Sequence, residues 1–345
     1  MKIASRGGDR WRSNKRIVLL ALAALAVGVV TFMALRAPVT PLMAGTKVLI
    51  AVPMQTNSSL MLVASGQGLF LKAGVDVVSQ PFELGRDALK SVLDGKADLA
   101  LVADTPVVLA LRGGADVAML AGISQSRRAL AIIAHSDRGI QQIQDLKGKS
   151  IGVTRGTAMT YFLDAMLQIH GVPSDAVTQS DLGRDAGITA FKDGRIDALV
   201  VFQPHLAKLE AEMGARVKVF YGEDVYALRF LLVGKPSYID SHPQEVRGVL
   251  RALIAANLAI RANPVEARRL IGAALKIDDA MMVHLFDPGD YAVSLDEAML
   301  LALEDQTRWA MKKGLVESRP MPNYLNFMKY QHLDALLPSA VTIVR

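Results

Sequence analysis

Short apolar runs rich in β-branched residues recur along the chain from about residue 47, and amphipathic stretches separate them. The runs that predict strands are residues 48–52, 75–78, 99–102, 117–120, 151–153, 199–201 and 217–220. Strands that alternate with helical patterns of this length indicate parallel βαβ units, so we predict an α/β body. Between Pro243 and Met311 the pattern becomes helical. Pro264 suits a first-turn position there, as does Pro243, and Asn263 and Ser294 suit N-caps.

A duplication divides this body. The sequence Gly-Arg-Asp-Ala at residues 85–88 recurs at residues 183–186, and Asp-Gly-Lys-Ala-Asp at 94–98 is echoed by Asp-Gly-Arg-Ile-Asp at 193–197. Each copy predicts a helix that an aspartate opens at its positive end, a glycine that ends the helix, and a buried strand. Two similar α/β lobes side by side predict a cleft between them.

The loops beyond the predicted strand ends carry the candidate chemistry. In open parallel sheets, ligands bind beyond the carboxyl ends of the strands, where loops and helix N-termini converge. Helix starts after Ser59 and Gly156 favour an anion, and Arg86 and Arg184 would add positive charge from opposite lobes. The loops at these ends are residues 53–59, Gly85-Arg86, Asp104-Thr105-Pro106, residues 154–157, Gly183-Arg184 and Gln203-Pro204.

Each of these positions also has a purely structural interpretation. Ser58 and Thr157 suit N-caps, and residues 104–106 suit an ordinary helix start. Arg86 and Arg184 each precede an aspartate with which they can form a solvated pair. Arg127, Arg128, Arg155 and Arg229 rank behind these candidates.

The charge of the chain is concentrated at its N-terminus. The formal net charge is +6, and residues 1–36 alone hold seven basic residues against Asp9, so the remainder is neutral. A basic flank over residues 1–16 precedes 19 uncharged residues, 17–35, a length that can cross a bilayer. Basic residues before an apolar run keep that side cytoplasmic. We favour an uncleaved anchor over a cleaved signal, so that the body of the protein lies on the periplasmic side of the inner membrane. Residues 36–45 would form the linker between the anchor and the body.

The composition and the motifs argue against several classes of function. A neutral body gives no basic surface for nucleic acid. The chain has no cysteine, so a disulfide, a thiolate metal site and a cysteine nucleophile are excluded. The six histidines lack metal-site spacing, and neither a Gly-x-Ser-x-Gly elbow nor a phosphate-binding glycine loop is present. We therefore expect no catalytic residues, no metal and no cofactor.

Several motifs within the body point to a known family. The most specific is Asp-Leu-Lys-Gly-Lys-Ser-Ile-Gly-Val at residues 145–153, followed by Gly156-Thr157. Further motifs are residues 64–77, 94–100, 193–198 with Gln203-Pro204, and 324–343. With these motifs the sequence resembles the periplasmic solute-binding proteins of the sulfonate, nitrate and taurine uptake group, whose wider family includes pyrimidine-precursor binders.

The resemblance implies a two-lobed clamp with two mainly parallel sheets. Lobe 1 would comprise residues 46–132 and 233–345, lobe 2 residues 133–232, and hinge strands would run near 129–136 and 226–234. A small polar solute, with an anion favoured, would bridge both lobes and stabilise the closed form, which ABC permease and ATPase subunits would recognise. The ligand contacts that the resemblance implies are Gln55, Thr56, Asn57, Ser58, Asp104, Thr105, Gly156, Thr157, Ala158, Gln203 and Tyr226.

Two other functions remain open at this stage. A membrane-anchored sensor of the same fold would bind a ligand without transporting it. A lyase-type enzyme on this fold is the third possibility, and the export or anchor segment argues against it.

Overall fold

The computed structural model describes residues 47–344, and these form two β-sheets with helices around them. The first sheet has six strands in the order β11-β4-β10-β3-β1-β2, and the second has five in the order β7-β6-β8-β5-β9. The strands of the first sheet are β1 (Val48–Pro53), β2 (Val77–Phe82), β3 (Leu99–Ala103), β4 (Ala118–Ser126), β10 (Leu228–Gly234) and β11 (Tyr291–Ser294). Those of the second are β5 (Leu130–His135), β6 (Ser150–Val153), β7 (Thr178–Asp181), β8 (Ala198–Phe202) and β9 (Val217–Tyr221).

Both sheets are mixed, which corrects the expectation of mainly parallel sheets. Strand β1 pairs in parallel with β2 and β3, but β10 lies antiparallel to both β3 and β4. In the second sheet β6 is parallel to β7 and β8, whereas β5 is antiparallel to β8 and β9. The chain passes from β4 to β5 through residues 127–129 and from β9 to β10 through residues 222–227. Strands β5 and β10 therefore enter their sheets from the neighbouring sheet and run against the βαβ strands.

Helices cover the sheets. In chain order they are α1 (Ser59–Gly66), α2 (Leu69–Lys72), α3 (Gly85–Leu93), α4 (Asp104–Arg112), α5 (Ala158–Ile169), α6 (Arg184–Lys192), α7 (His205–Met213), α8 (Pro236–Ser241), α9 (Pro243–Ala262), α10 (Pro264–Leu275), α11 (Asp279–Leu285), α12 (Glu297–Lys312) and α13 (Gln331–Asp334). Short 3-10 helices lie at Thr56–Ser58, Ser136–Arg138, Ile143–Leu146, Ser174–Ala176, Gly214–Arg216, Pro288–Asp290, Tyr324–Phe327 and Pro338–Ala340.

The duplicated sequence folds the same way in both copies. Helices α3 and α6 carry an aspartate in the first turn, and each is followed by a glycine with positive φ, Gly95 at 73° and Gly194 at 69°. The last aspartate of each copy holds the start of the strand that pairs in parallel with the one after it, β1 in the first sheet and β6 in the second. The carboxylate Oδ2 of Asp98 accepts the Leu49 N–H at 2.8 Å, and that of Asp197 accepts the Ser150 N–H at 2.8 Å. The repeat thus preserves a packing contact as well as a helix.

The helical region after Pro243 follows the sequence pattern with two differences. Pro243 and Pro264 occupy first-turn positions, and the Asn263 side chain caps α10 by accepting the Glu266 N–H at 3.1 Å. Strand β11 interrupts the predicted helical stretch. Asp296, not Ser294, is the N-cap of α12, because its carboxylate accepts the Met299 N–H at 2.9 Å.

The hydrophobic core follows the central strands of both sheets. Strands β3, β5 and β8 are buried along their whole length, as their continuous apolar sequences predict. Between residues 47 and 344 no helix combines the length and hydrophobicity that crossing a bilayer requires. The predicted anchor at residues 17–35, its basic flank and the whole linker lie outside the described residues.

Candidate functional site

A cavity of about 710 Å³ lies between elements of the two sheets, beside both chain crossings. On the side of the first sheet, Thr56 and Asn57 line it together with the segment between α11 and β11. On the side of the second sheet its wall includes Gln203 and Tyr221. The end of β4 contributes residues 125–126, and the crossings contribute residues 127–129 and Glu223. The remaining lining residues are Ala207, Glu210, His284, Leu285, Phe286, Asp287, Asp290 and Tyr291. The volume falls within the range of cavities that bind small molecules.

The residues after β1 are held by hydrogen bonds within the first lobe. The Ser124 hydroxyl donates to the carbonyl of Asn57 at 3.0 Å, and the Asn57 amide donates to that hydroxyl at 3.4 Å. Ser59 and Tyr291 donate their hydroxyls to the carbonyl of Thr56 at 2.6 and 3.3 Å. Burial raises the pKa of Tyr291, so this hydroxyl stays protonated and keeps its donor. Both cavity-facing residues are therefore fixed in position.

Gln203 is fixed at the end of β8. Its backbone N–H donates to the carbonyl of Ala129 at 2.8 Å, which joins it to the first crossing, and its side-chain Oε1 accepts the Ala207 N–H at 3.1 Å. The peptide bond to Pro204 is cis.

Of the charged groups that line the cavity, Arg128 and Glu223 pair with each other. Arg128 donates to the Glu223 carboxylate at 3.0 Å and lies 4.4 Å from the centre of the Tyr221 ring, while Arg127 donates to the backbone carbonyl of Glu223. Burial, followed by the negative charge of Asp287, raises the pKa of Asp290, against a lowering hydrogen bond from Ser126. With Glu210 the wall holds four carboxylates and two guanidinium groups, so it is not an electropositive pocket.

The centre of the predicted cleft is narrow. Gln55, Arg86, Thr157 and Ala158 line a gap of about 10 Å³, between the loops after β1, β2 and β6. Arg184 lines a neighbouring gap of about 20 Å³ together with Gln55 and Gln203. The structure thus brings these predicted residues together from both lobes, but it leaves space for a solute on the side of Thr56, Asn57 and Gln203.

The two arginines of the repeat both reach across this narrow region. Arg86, from the first lobe, donates through Nη1 to the carbonyl of Arg155. Arg184, from the second lobe, lies 3.4 Å from the Glu83 carboxylate through its Nε, which also donates to Asp185 at 2.9 Å. Gly156 lies beside this contact, since a side chain at that position would approach the Arg86 guanidinium to 3.7 Å.

Two predicted hydroxyl residues have local structural roles. Thr157 is the N-cap of α5, and its hydroxyl oxygen accepts the Met159 N–H at 3.2 Å. Ser58 precedes α1 but makes no side-chain cap, because its hydroxyl donates to the carbonyl of Pro53 at 2.7 Å.

Asp104, Thr105 and Tyr226 form a buried polar network away from the cavity. The Tyr226 hydroxyl donates to Asp104 Oδ1, which also accepts the Thr105 N–H at 2.9 Å, and the Thr105 hydroxyl donates to Gln306 Oε1 at 2.6 Å. Burial raises the pKa of Asp104, while the Tyr226 hydrogen bond and the charge of Arg229 lower it. Asp104 Oδ2 and Gln306 Nε2 have no hydrogen-bond partner among the described residues. This arrangement joins the second crossing to helices α4 and α12.

A second cavity of about 310 Å³ adjoins the first, since Gln125 and Asp290 line both. It lies against β4, β10 and β11, and Arg229 faces it from β10. Among residues 47–344 no group of histidine and carboxylate side chains is arranged to hold a metal ion.

Sequence reasoning missed one wall of the larger cavity. The segment 284–291 falls in a stretch that the apolar pattern predicts as helical, so nothing local marks it as a loop beside a cleft. Residues 125–129 did carry a signal: Arg127-Arg128 interrupts two apolar strands, and polar residues at such a break are candidates for a cleft.

Comparisons with known proteins agree with this architecture. The family model described as NMT1/THI5 like matches residues 55–267. An aliphatic sulfonates-binding protein of Bacillus subtilis (strain 168) is 30% identical over 243 residues, which cover 68% of this chain and 72% of that protein.

Two solved structures show how widely the fold is used. The alkanesulfonate-binding protein from Xanthomonas axonopodis pv. citri bound to MOPS superposes with a TM-score of 0.72, with 17% identity, 83% of this chain and 99% of that chain covered. The desulfurization enzyme DSZB superposes with a TM-score of 0.67, with 16% identity, 86% of this chain and 99% of that chain covered. At these identities the superpositions establish a periplasmic-binding-protein type of fold and leave the activity open. The family model, which spans more than half of the sequence, decides the assignment: the chain belongs to the NMT1/THI5-like family.

Proposed function

We propose that this protein is the extracytoplasmic solute-binding component of an ABC uptake system and clamps one small polar solute between two lobes. The observation that carries the proposal is the cavity of about 710 Å³, whose walls come from both sheets and both crossings. A ligand that touches both walls stabilises their approach, because its contacts are complete only when the lobes meet. Thr56, Asn57 and Gln203 are the predicted site residues that line it.

The solute class follows from the relatives and from the wall. The Bacillus subtilis relative is described as binding aliphatic sulfonates, and membership of the same family supports a sulfonate, nitrate or taurine type of solute here. The wall offers amide and hydroxyl groups and both signs of charge. A small organic solute with several polar groups fits such a wall better than an apolar molecule.

The proposed partners and location come from the same assignment. ABC permease and ATPase subunits would recognise the closed form outside the cytoplasm. Residues 17–35 would anchor the protein to the inner membrane, with residues 1–16 on the cytoplasmic side and 36–45 as a linker. Residues 46–132 and 233–345 would form lobe 1 and residues 133–232 lobe 2, with hinge strands near 129–136 and 226–234, which overlap the two chain crossings.

A non-catalytic role is part of the proposal. The enzyme DSZB has the same fold, so the fold alone is compatible with catalysis. This chain has no cysteine to serve as a nucleophile, and its cavity-lining histidine, His284, has no hydrogen-bonded acid or hydroxyl partner among the described residues. A sensor that uses the same clamp differs from an uptake component in its membrane partner rather than in its cavity.

Thermal-shift measurements on the purified full chain test the proposal. The panel would contain sulfonates, taurine, nitrate, bicarbonate, phosphonates, carboxylates and pyrimidines. A solute that binds the native state raises the melting temperature in proportion to the logarithm of its concentration above the Kd. We expect one chemical class to do so, with no product formed on prolonged incubation. A panel in which no member raises the melting temperature would overturn the proposal, and turnover of any member would replace it with an enzymatic function.

A further inference from the structure

Two side chains at the end of α12 hold a carboxylate of the opposite lobe. Asp164 on α5 accepts hydrogen bonds from the Trp309 indole at 2.9 Å and from Lys313 Nζ at 2.8 Å. Lys313 also donates to the Ser174 hydroxyl at 2.6 Å, beyond the end of α5. Helix α5 follows β6 of the second sheet, whereas α12 follows β11 of the first. The end of α12 is therefore bonded to the second lobe at two separate points.

Aromatic rings join this contact to the second crossing. Tyr161, one turn before Asp164 on α5, packs edge-on against Trp309 with the ring centres 5.3 Å apart. The same ring packs edge-on against Tyr226 of the second crossing at 5.1 Å. The contact thus begins beside the crossing and continues along α5 to Ser174. Its members line neither of the two larger cavities, so they do not touch a solute that is held there.

The α5–α12 contact is more buried than the other contacts between the lobes described above. The side chain of Asp164 is 7% exposed, whereas those of Arg86 and Arg184 are 39% and 27% exposed. A hydrogen bond to a buried carboxylate contributes more than a surface ion pair, because water does not replace the lost donor. Of these contacts, the one at Asp164 therefore contributes most to holding the two lobes together.

The arrangement that this contact holds is the closed one. At the centre of the interface the lobes leave gaps of only about 10 and 20 Å³, while the cavity of about 710 Å³ is bounded by both. A solute that touches both walls requires the lobes to be at least this close. Hydrogen bonds need donor–acceptor distances near 3 Å, so a rotation about the crossings that separates the lobes breaks the bonds at Asp164 and Ser174.

We propose that the α5–α12 contact is a latch on the closed form, and that Asp164 is a positioning residue that increases solute affinity without touching the solute. The inference rests on the proposed solute-binding function and deepens it. The apparent Kd of a clamp equals its intrinsic Kd divided by the fraction of the protein in the binding-competent form. The latch raises that fraction, so its loss weakens binding and speeds release of the solute.

Calorimetric titration of the full chain with ethanesulfonate tests the latch. We expect Asp164→Asn to raise the Kd about tenfold, the factor that corresponds to the net contribution of a hydrogen bond to a charged group. Lys313→Met, on the other lobe, should raise the Kd by a similar factor. The double variant should bind little more weakly than either single variant, because both substitutions remove the same contact. If Asp164→Asn does not fold, Lys313→Met, which changes a partly exposed side chain, carries the test.

Asp197→Asn is the matched control for stability. Asp197 accepts hydrogen bonds from the Ser150 N–H at 2.8 Å and from Arg138 at 3.0 Å, all within the second lobe, and its side chain is 17% exposed. The same substitution there should lower the melting temperature but leave the Kd within about twofold of wild type. A contact that only stabilises the fold would behave like this control.

A distance measurement tests the latch without a solute. The chain has no cysteine, so Lys96→Cys and Arg195→Cys can carry spin labels without background labelling. Both positions are exposed and equivalent in the two copies of the repeat, one in each lobe. We expect Asp164→Asn to shift the distance distribution in pulsed electron paramagnetic resonance toward longer, more open separations.

The outcomes separate the latch from the proposed function. A Kd that stays within twofold of wild type or falls in Asp164→Asn and Lys313→Met, or that rises equally in Asp197→Asn, would overturn the latch and leave the solute-binding function standing. If another member of the thermal-shift panel binds in place of ethanesulfonate, that member is the probe for the same titrations. If no member binds, the proposed function fails, and an unchanged distance distribution in Asp164→Asn would then overturn the latch as well.

Discussion

The indole Nε1 of Trp309 on α12 donates a hydrogen bond of 2.9 Å to Oδ2 of Asp164 on α5. The other carboxylate oxygen of Asp164 accepts a bond of 2.8 Å from Lys313, and only 7% of the Asp164 side chain is exposed. Helix α5 follows β6 of the second sheet, whereas α12 follows β11 of the first. A nearly buried carboxylate of one lobe is therefore held by two donors of the other, on a side of the interface away from the cavity.

Asp164→Asn should weaken this contact between the lobes. The amide retains one acceptor but turns an N–H group toward a donor, so the unfolding free energy should fall by about 2 kcal/mol, within the range for breaking a buried charged hydrogen bond. Urea unfolding followed by circular dichroism measures the loss. Asp305→Asn is the control, because Asp305 pairs with Arg308 on the surface of α12. This substitution should change the unfolding free energy by less than about 0.5 kcal/mol. Equal stability of the two variants would contradict the prediction.

The sequence predicts Arg86 and Arg184 as anion contacts, whereas in the structure their donors reach the opposite lobe. Because these are partly exposed contacts, Arg86→Ala and Arg184→Ala should each raise the Kd of the solute that binds in the thermal-shift panel by no more than about threefold. Calorimetric titration of the two variants and of the wild type measures the change. A larger loss of affinity in either variant would favour the interpretation based on the sequence.

The sequence predicts the repeated part of this fold well because the signals there are local. A helix opened by Asp87 or Asp185, ended by Gly95 or Gly194 and followed by an apolar strand needs no information from distant residues. Strands β5 and β10 carry equally apolar sequences, but their direction depends on which sheet the chain has just left. Periodicity contains no such information, and the expected mainly parallel sheets are therefore wrong.

Sequence patterns likewise locate some residues of the candidate site and not others. Thr56, Asn57 and Gln203 lie beyond strand ends, a position that sequence patterns can locate, and all three line the larger cavity. Whether Asp104 faces a solute or a buried tyrosine depends on the approach of Tyr226 from the second crossing, far away along the chain. That the buried Nε of Arg229 has no hydrogen-bond partner among the described residues is likewise a property of the packed strand and its neighbours.

Gly222, at the start of the second crossing, should not tolerate a side chain. A Cβ atom there would lie 2.5 Å from Cε2 of Phe162 and 2.7 Å from Sδ of Met166, both on α5. Gly222→Ala should lower the unfolding free energy by about 1–3 kcal/mol, because overpacking forces neighbours out of place. Gly66→Ala is the control: its Cβ would approach Leu270 no closer than 3.4 Å, and alanine favours a helix. Chemical denaturation in which Gly222→Ala matches Gly66→Ala would contradict the packing seen here.

Asp104→Asn should change how stability depends on pH. Burial raises the pKa of this carboxyl in the folded protein above its ordinary value of 3.8, so the folded state holds the proton to higher pH than the unfolded chain does. The unfolding free energy of the wild type therefore decreases as pH rises from about 4 through the folded pKa, and asparagine cannot lose a proton.

Asparagine can still accept the bonds from Tyr226 and Thr105 through Oδ1, so the network should persist. The unfolding free energy of Asp104→Asn minus that of the wild type should become more positive between pH 4 and pH 8. Urea unfolding of both proteins at intervals across this range measures the difference, in which all other titrating groups cancel. A difference that stays constant, or that falls as the pH rises, would show that the Asp104 carboxyl loses its proton at least as readily in the folded protein as in the unfolded chain.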